Sequence, residues 1–375
     1  MKKLFKIEER IHFLNHGSFG ACPAEVFEVY QNWQHELERQ PVEFLQRRYH
    51  DLMDEARAAL AAYVNIPVKT LVYVPNATVG INMVARSLRL NPGDEVLTTD
   101  HEYGAIDFTW RFVCERSGAV YKQQSISTPL TDDESFIEQL WQGVTPRTRV
   151  IAISHITSST ALTFPVAAVC ERARREGILT VIDGAHVPGQ RPLDLESVGP
   201  DFYTGNCHKW LCAPKGSGFL YVRPEHHAII EPLVISWGWE EQTTFAMQNQ
   251  WWGTRDIAAY LSVPAAIAFQ QRHNWDAVRD RCHRLAVEAW QRITALTGLP
   301  PLSDAAHFAQ MFTVPVVTED VMALKTRLYD EYAIEVPGII WRDQPHLRVS
   351  VQGYNTPADL DKLFEALLSI KIDQA

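Results

Sequence analysis

The sequence has no run of about 18 apolar residues, the length a helix needs to cross a bilayer, so no membrane span is predicted. Its first residues, MKKLFKIEERIHFLNHG, carry lysines but no apolar core, because Lys6, Glu8, Glu9 and Arg10 interrupt one; export is not expected. Cysteine is scarce. Six residues (22, 114, 170, 207, 212 and 282) scattered over 375 positions make no disulfide scaffold and read as reduced thiols of a cytoplasmic protein. An excess of positive charge is also missing: 35 Lys and Arg stand against 45 Asp and Glu, a net charge of −10, and the basic residues are dispersed, so nucleic acid is not an expected partner. There is no GxxxxGK(S/T) sequence, and Gly216-Ser217-Gly218 lacks the third glycine of GxGxxG and precedes an expected strand, which removes two nucleotide signatures. Cys207, His208 and Cys212 have no second pair at ligand spacing, so no metal site is expected.

What is present is an ordinary globular composition, 46% hydrophobic and 21% charged, at a length suited to two domains. Such a chain buries roughly three quarters of its unfolded surface. Strand-like runs at 95–99, 119–122, 149–155, 179–183, 202–205 and 218–222 alternate with amphipathic stretches at 78–88, 103–116, 133–141 and 166–176. Several runs, VIAIS and LTVID among them, are continuously apolar, as strands covered on both faces are. The predicted fold class is therefore α/β, a mostly parallel, helix-covered sheet. After Trp251 the pattern turns to long helices, at 257–271 and 275–297, then to a looser strand and helix alternation. This divides the chain into an N-terminal segment, 1–20, a large domain, 21–264, and a smaller α+β domain, 265–375.

Two residues in the middle of the chain point to chemistry. Asp183 closes the LTVID strand, at the carboxyl end where open α/β sheets bind ligands. Lys209 follows 26 residues later, beside Cys207, Trp210 and Leu211, apolar surroundings that favour a neutral, nucleophilic amine. Alone, the first reads equally as a helix cap and the second as a surface lysine. Together they supply what pyridoxal 5'-phosphate requires: an amine for its aldehyde, and a carboxylate that keeps its ring nitrogen protonated. Pro75-Asn76-Ala77-Thr78-Val79-Gly80 precedes an amphipathic helix, so the Ala77 and Thr78 amides and the Thr78 hydroxyl stand at a helix start, a ready anion site. A plain Asn or Thr helix cap is the other explanation.

Eight motifs in order then resemble one family: Asn15-His16-Gly17-Ser18, Asn76-Ala77-Thr78, Asp100-His101-Glu102-Tyr103-Gly104-Ala105, Asp183-Gly184-Ala185-His186, Gly205-Asn206-Cys207-His208-Lys209, Trp237-Gly238-Trp239, Gly253-Thr254-Arg255-Asp256 and Leu347-Arg348-Val349-Ser350. The chain is similar, nearly end to end, to class V aminotransferase-type enzymes of pyridoxal phosphate fold type I, and within them to the isopenicillin N epimerase-like branch. The resemblance implies Lys209 as the Schiff-base lysine, Asp183 as the ring-nitrogen partner and His186 on the cofactor's phenolic oxygen. It places Asn206 and His208 with Ala77 and Thr78 on the phosphate. It implies a homodimer in which Thr254 reaches the neighbour's phosphate. Arg348 is expected to take the substrate α-carboxylate, and a guanidinium fork suits that task. Asn15, His16 and Gly17 are expected to contact substrate, with Trp237 and Trp239 as further walls. One of His101 and Tyr103 is expected to stack on the cofactor ring; His101 is favoured for stacking and Tyr103 for proton transfer.

These residues serve three reactions at Cα: epimerisation, which needs a proton donor on each face, elimination of a Cβ substituent such as sulfur, and transamination. Related cysteine desulfurases carry a catalytic cysteine in a C-terminal loop, whereas this chain has none after Cys282. The expectation is a pyridoxal phosphate enzyme acting on an amino acid or amino-acid-derived substrate, an epimerase first, with a carbon–sulfur lyase or aminotransferase as alternatives. A non-catalytic binding module is the alternative from another class. Arg47 and Arg48 are read as exposed helix charges that could reach a second carboxylate.

Overall fold

The computed structural model, which describes residues 1–240 and 243–370, sets the apolar runs side by side. After a two-residue strand β1 (His12–Phe13), seven strands make one sheet: β2 (Leu71–Val74), β3 (Glu95–Thr99), β4 (Val120–Gln124), β5 (Thr148–Ser154), β6 (Leu179–Asp183), β7 (Phe202–Asn206) and β8 (Gly218–Val222). Their order is β2-β8-β7-β6-β5-β3-β4, and β8 alone runs against its neighbours. The continuous apolar runs follow from alternation between two cores. Ile151, Ile153 and Ile182 enter one core, while Val150, Ala152 and Val181 enter the other, on the opposite face. β4 closes the sheet edge, and there Val120 is exposed and Lys122 half-buried, the polar finish that discourages further pairing.

Local signals fix the helices that matter for the site. Asn76 caps the helix Ala77–Ser87 by accepting 3.0 Å from the Val79 amide. The expected helix at 257–271 is two pieces, Ala258–Leu261 and Val263–Arg272, divided at Ser262 just before Pro264, which opens the second. Beyond them, β9 (Met311–Pro315), β11 (Gly338–Trp341) and β12 (Gln344–Ser350) form an antiparallel sheet in the order β11-β12-β9. The short strand β10 (Ile334–Glu335) pairs in parallel with β1, so the N-terminal segment is tied to the C-terminal part of the chain. Among the described residues no helix is long and apolar enough to cross a membrane.

Candidate active site

Because β3, β5, β6 and β7 are parallel, their carboxyl ends open on one edge of the sheet, where such sheets bind ligands. The segments that follow them line a cleft of about 620 Å³ with Tyr103, Ser158, Asp183, His186, Asn206 and Lys209. The helix start at Ala77 and Thr78, Gly17 from the N-terminal segment and Arg348 from β12 complete it. A larger cavity, about 1030 Å³, lies away from these groups and is walled by Leu45, Tyr49, Trp237, Trp251 and Thr254. Convergent polar groups, not volume, mark the smaller cleft as the site.

Burial dominates the titration of the central groups. It pushes Lys209 down to about 7, with Arg348 acting in the same direction and Asp183 against it. Lys209 Nζ lies 3.1 Å from His186 Nε2, and the indole nitrogen of Trp210 donates 3.3 Å to His186 Nδ1. Asp183, 6% exposed, is raised by burial against the Ala185 amide, which donates to it at 2.9 Å. Behind these groups Glu102 is buried and pushed up to about 8 by that burial. It accepts from the Ser154 amide at 2.8 Å, the Ser154 hydroxyl at 2.6 Å and the Thr99 hydroxyl at 2.6 Å.

At the helix start, Asn206 Oδ1 accepts 2.8 Å from the Ala77 amide, so two residues expected on the phosphate are joined to each other. His208 donates from Nδ1 to Ser217 O at 3.0 Å, leaving Nε2 for a ligand. Gly20 lies close against this loop: its φ is +69° and a Cβ there would stand 2.0 Å from His208 O, a place only glycine can occupy.

Arg348 is 4% exposed. Its Nη1 donates to Ser158 O at 2.7 Å and Ser158 Oγ at 3.1 Å, and its Nη2 donates to Ser18 Oγ at 3.0 Å. Its buried Nε has no acceptor among the described residues. Of the five guanidinium hydrogens, the one on Nε and one on Nη2 therefore remain, enough to meet both oxygens of a carboxylate.

Several expected residues stand behind the cleft. Asn15 Oδ1 accepts 2.5 Å from Ser18 Oγ and its amide donates 3.0 Å to Glu335, so it braces the serine that braces Arg348. His16 is buried; its Nε2 donates 3.0 Å to Lys209 O and its Nδ1 accepts 2.9 Å from Tyr354. His101 does not reach the cleft. Its ring is packed between Phe164 and Trp341, with Nδ1 2.8 Å from Thr160 Oγ1 and Nε2 3.3 Å from Ile126 O. Tyr103, 47% exposed, is the member of that pair that lines it. Thr254 and Trp237 line the larger cavity instead. Arg48 pairs with Glu36, and Arg47 is exposed. Sequence reasoning missed Ser18, Ser158, Glu102 and the apolar wall of Ile339 and Ile340. Of these Ser18 and Glu102 carried a signal, since each lies inside a motif already singled out.

The cleft fits pyridoxal 5'-phosphate. A buried carboxyl, Asp183, can face a protonated ring nitrogen; a depressed amine, Lys209, can face an aldehyde; and a helix start can face a phosphate. A family model described as aminotransferase class V matches residues 21–363. The isopenicillin N epimerase of Amycolatopsis lactamdurans is 35% identical over 374 residues, 94% of each chain. A probable chloroplastic L-cysteine desulfhydrase of Arabidopsis thaliana is 29% identical over 392 residues, 94% of this chain and 82% of that one. Among solved structures, a lysine-to-alanine mutant of C-DES with glycine covalently linked to its PLP cofactor aligns with a TM-score of 0.85 at 22% identity over 98% of both chains, a likeness that shows the fold. The chain belongs to the class V aminotransferase family, enzymes that work through pyridoxal 5'-phosphate, and has their fold type I architecture.

Proposed function

We propose that this enzyme inverts the Cα centre of an amino acid or an amino-acid-derived substrate. The observation that carries the reading is the placement of two proton-handling groups in one cleft from separate strand ends. Lys209 follows β7 and Tyr103 follows β3, with β6 and β5 between them in the sheet. Bound cofactor supplies the electron sink that makes the Cα hydrogen acidic. Lys209, whose amine burial pushes down to about 7 so that a substantial neutral fraction exists at that pH, removes or returns that proton on its side. Tyr103 does the same on the other side, the role that epimerisation adds to a common first step. Arg348 binds the α-carboxylate and so fixes which bond at Cα lies between the two groups. The 35% identity to an isopenicillin N epimerase supports the same choice.

A carbon–sulfur lyase is the second reading, favoured by the 29% identity to a probable L-cysteine desulfhydrase; it needs Lys209 and Arg348 but not Tyr103. A persulfide route is disfavoured, since Ile339 and Ile340 wall the cleft and its lining includes no cysteine. The two readings part in deuterated water. Deuterium entering Cα of intact substrate, with loss of optical purity, supports epimerisation, and release of pyruvate and sulfide supports the lyase. A protein that binds the cofactor and exchanges no Cα proton would be the binding module. The reading includes a cytosolic homodimer, with residues 21–264 carrying the cofactor, 265–375 carrying Arg348, and Thr254 completing the partner's site. Two observations support it: all six cysteines are free thiols, and Thr254 lies away from its own Lys209. Sedimentation at micromolar concentration tests the dimer, and a monomer would remove it.

A further inference from the structure

We propose that Trp210 is a positioning residue that fixes the tautomer of His186 and thereby holds the Lys209 amine as a hydrogen-bond acceptor. The proposal deepens the reading of Lys209 as the cofactor-binding amine and rests on it. An indole N–H can only donate. With Trp210 Nε1 3.3 Å from His186 Nδ1, Nδ1 must offer its lone pair, and the neutral imidazole carries its proton on Nε2. That nitrogen is 3.1 Å from Lys209 Nζ. An N–H aimed at an amine is satisfied by the lone pair of the neutral form, whereas an ammonium would set donor against donor. The indole therefore opposes protonation of a group that its own nitrogen does not touch.

The three residues are held rigidly enough for this to work. Trp210 is fully buried, its ring lies 4.9 Å from that of His16, and its carbonyl accepts 2.9 Å from Gln270 Nε2. His16 in turn donates to the Lys209 carbonyl at 3.0 Å, so indole, imidazole and lysine backbone form one braced unit. Asp183 and Arg348 are the charged groups that face Lys209, and His16 and His208 stand around His186. Trp210→Phe removes none of these titratable groups but loosens the packing on His16, so only a change in Lys209 that a His186→Leu background abolishes reports the His186 proton.

Trp210→Phe keeps an aromatic ring and removes the N–H. His186 is then free to place its proton on Nδ1 and accept from an ammonium. The midpoint for acylation of Lys209 by an uncharged reagent, quantified on its peptide by mass spectrometry in the full chain without cofactor, should rise by about one pH unit, the effect of one hydrogen bond. In a His186→Leu background the same substitution should move nothing. An unchanged midpoint in Trp210→Phe, or an equal shift in the His186→Leu background, overturns the proposal. The unsubstituted chain offers a second readout that no folding defect can confuse: ¹⁵N-histidine spectra should show His186 protonated at Nε2 and bare at Nδ1, and the reverse pattern would refute the assignment. Both readouts need no cofactor, so they can fail independently of the cofactor reading.

Discussion

Arg348→Lys separates carboxylate recognition from mere charge. In the structure Ser158 and Ser18 occupy three guanidinium hydrogens and leave two, one of them on the buried Nε. Lysine keeps a cation but cannot satisfy both serines and both carboxylate oxygens at once. Losing one charge-assisted hydrogen bond costs about 1.5–3 kcal/mol, which corresponds to roughly 10- to 150-fold in kcat/KM. The assay is Cα deuterium exchange on an amino acid substrate, run beside the corresponding amine that lacks the carboxylate. The acid should lose that factor and the amine should lose almost nothing, with cofactor absorbance unchanged in both. An equal loss on the two substrates would mean that Arg348 braces Ser18 and Ser158 for structural reasons, and the carboxylate assignment would fail.

Tyr103→Phe should leave Cα deuterium exchange largely intact while slowing inversion about 10²-fold; the ratio of washout to loss of optical purity reads this, and a parallel fall in both rates assigns the second proton elsewhere. Lys209→Met should abolish exchange and also change how stability depends on pH. The folded lysine is depressed to about 7 from an unfolded value of about 10.4, so the parent loses stability as pH falls through that window. The variant should not, and superimposable Tm profiles from pH 10 to 7 would contradict the burial argument. Glu102 works in the opposite sense. Its folded carboxyl is raised to about 8 from about 4.3 unfolded, so the parent should lose stability as pH rises between those values, and Glu102→Gln should remove that loss. A Tm difference between the two that stays flat from pH 5 to 8 would place an ionised carboxylate there.

Much of the sheet was legible because its strands are short apolar runs between polar loops: the runs at 95–99, 179–183 and 218–222 are β3, β6 and β8 to the residue. β2 escaped because its four residues lie between a 3-10 turn and Pro75, too short a run to show a period. The site divided along the same line. Asp183 could be placed from the sequence, since a parallel sheet fixes which end of its strand it occupies; Lys209 stood out by its apolar neighbours and its spacing to Asp183, and Asn206 by the family resemblance. For His101 and Tyr103 the sequence favours the histidine for stacking on the cofactor, yet Tyr103 is the one that lines the cleft. They sit two positions apart after β3, and which side chain turns into the cleft is decided by packing from distant segments, Phe164 and Trp341, onto the histidine ring.

The N-terminal segment likewise holds expected site residues that do not line the cleft. Asn15 and His16 act one contact removed, through Ser18 onto Arg348 and through the Lys209 carbonyl. A sequence motif marks such residues as strongly as the ones they support, because losing the brace moves the group it holds. The spacing of a motif thus reports that a segment belongs to the site, while only the hydrogen-bond direction reveals its rank within it. For His16 that direction is unambiguous: a carbonyl can only accept, so its Nε2 carries the proton and its Nδ1 takes the Tyr354 hydroxyl. Buried and pushed down to about 3, this imidazole stays neutral across the working range. It can therefore hold Lys209 in place without competing for the proton that Lys209 must move.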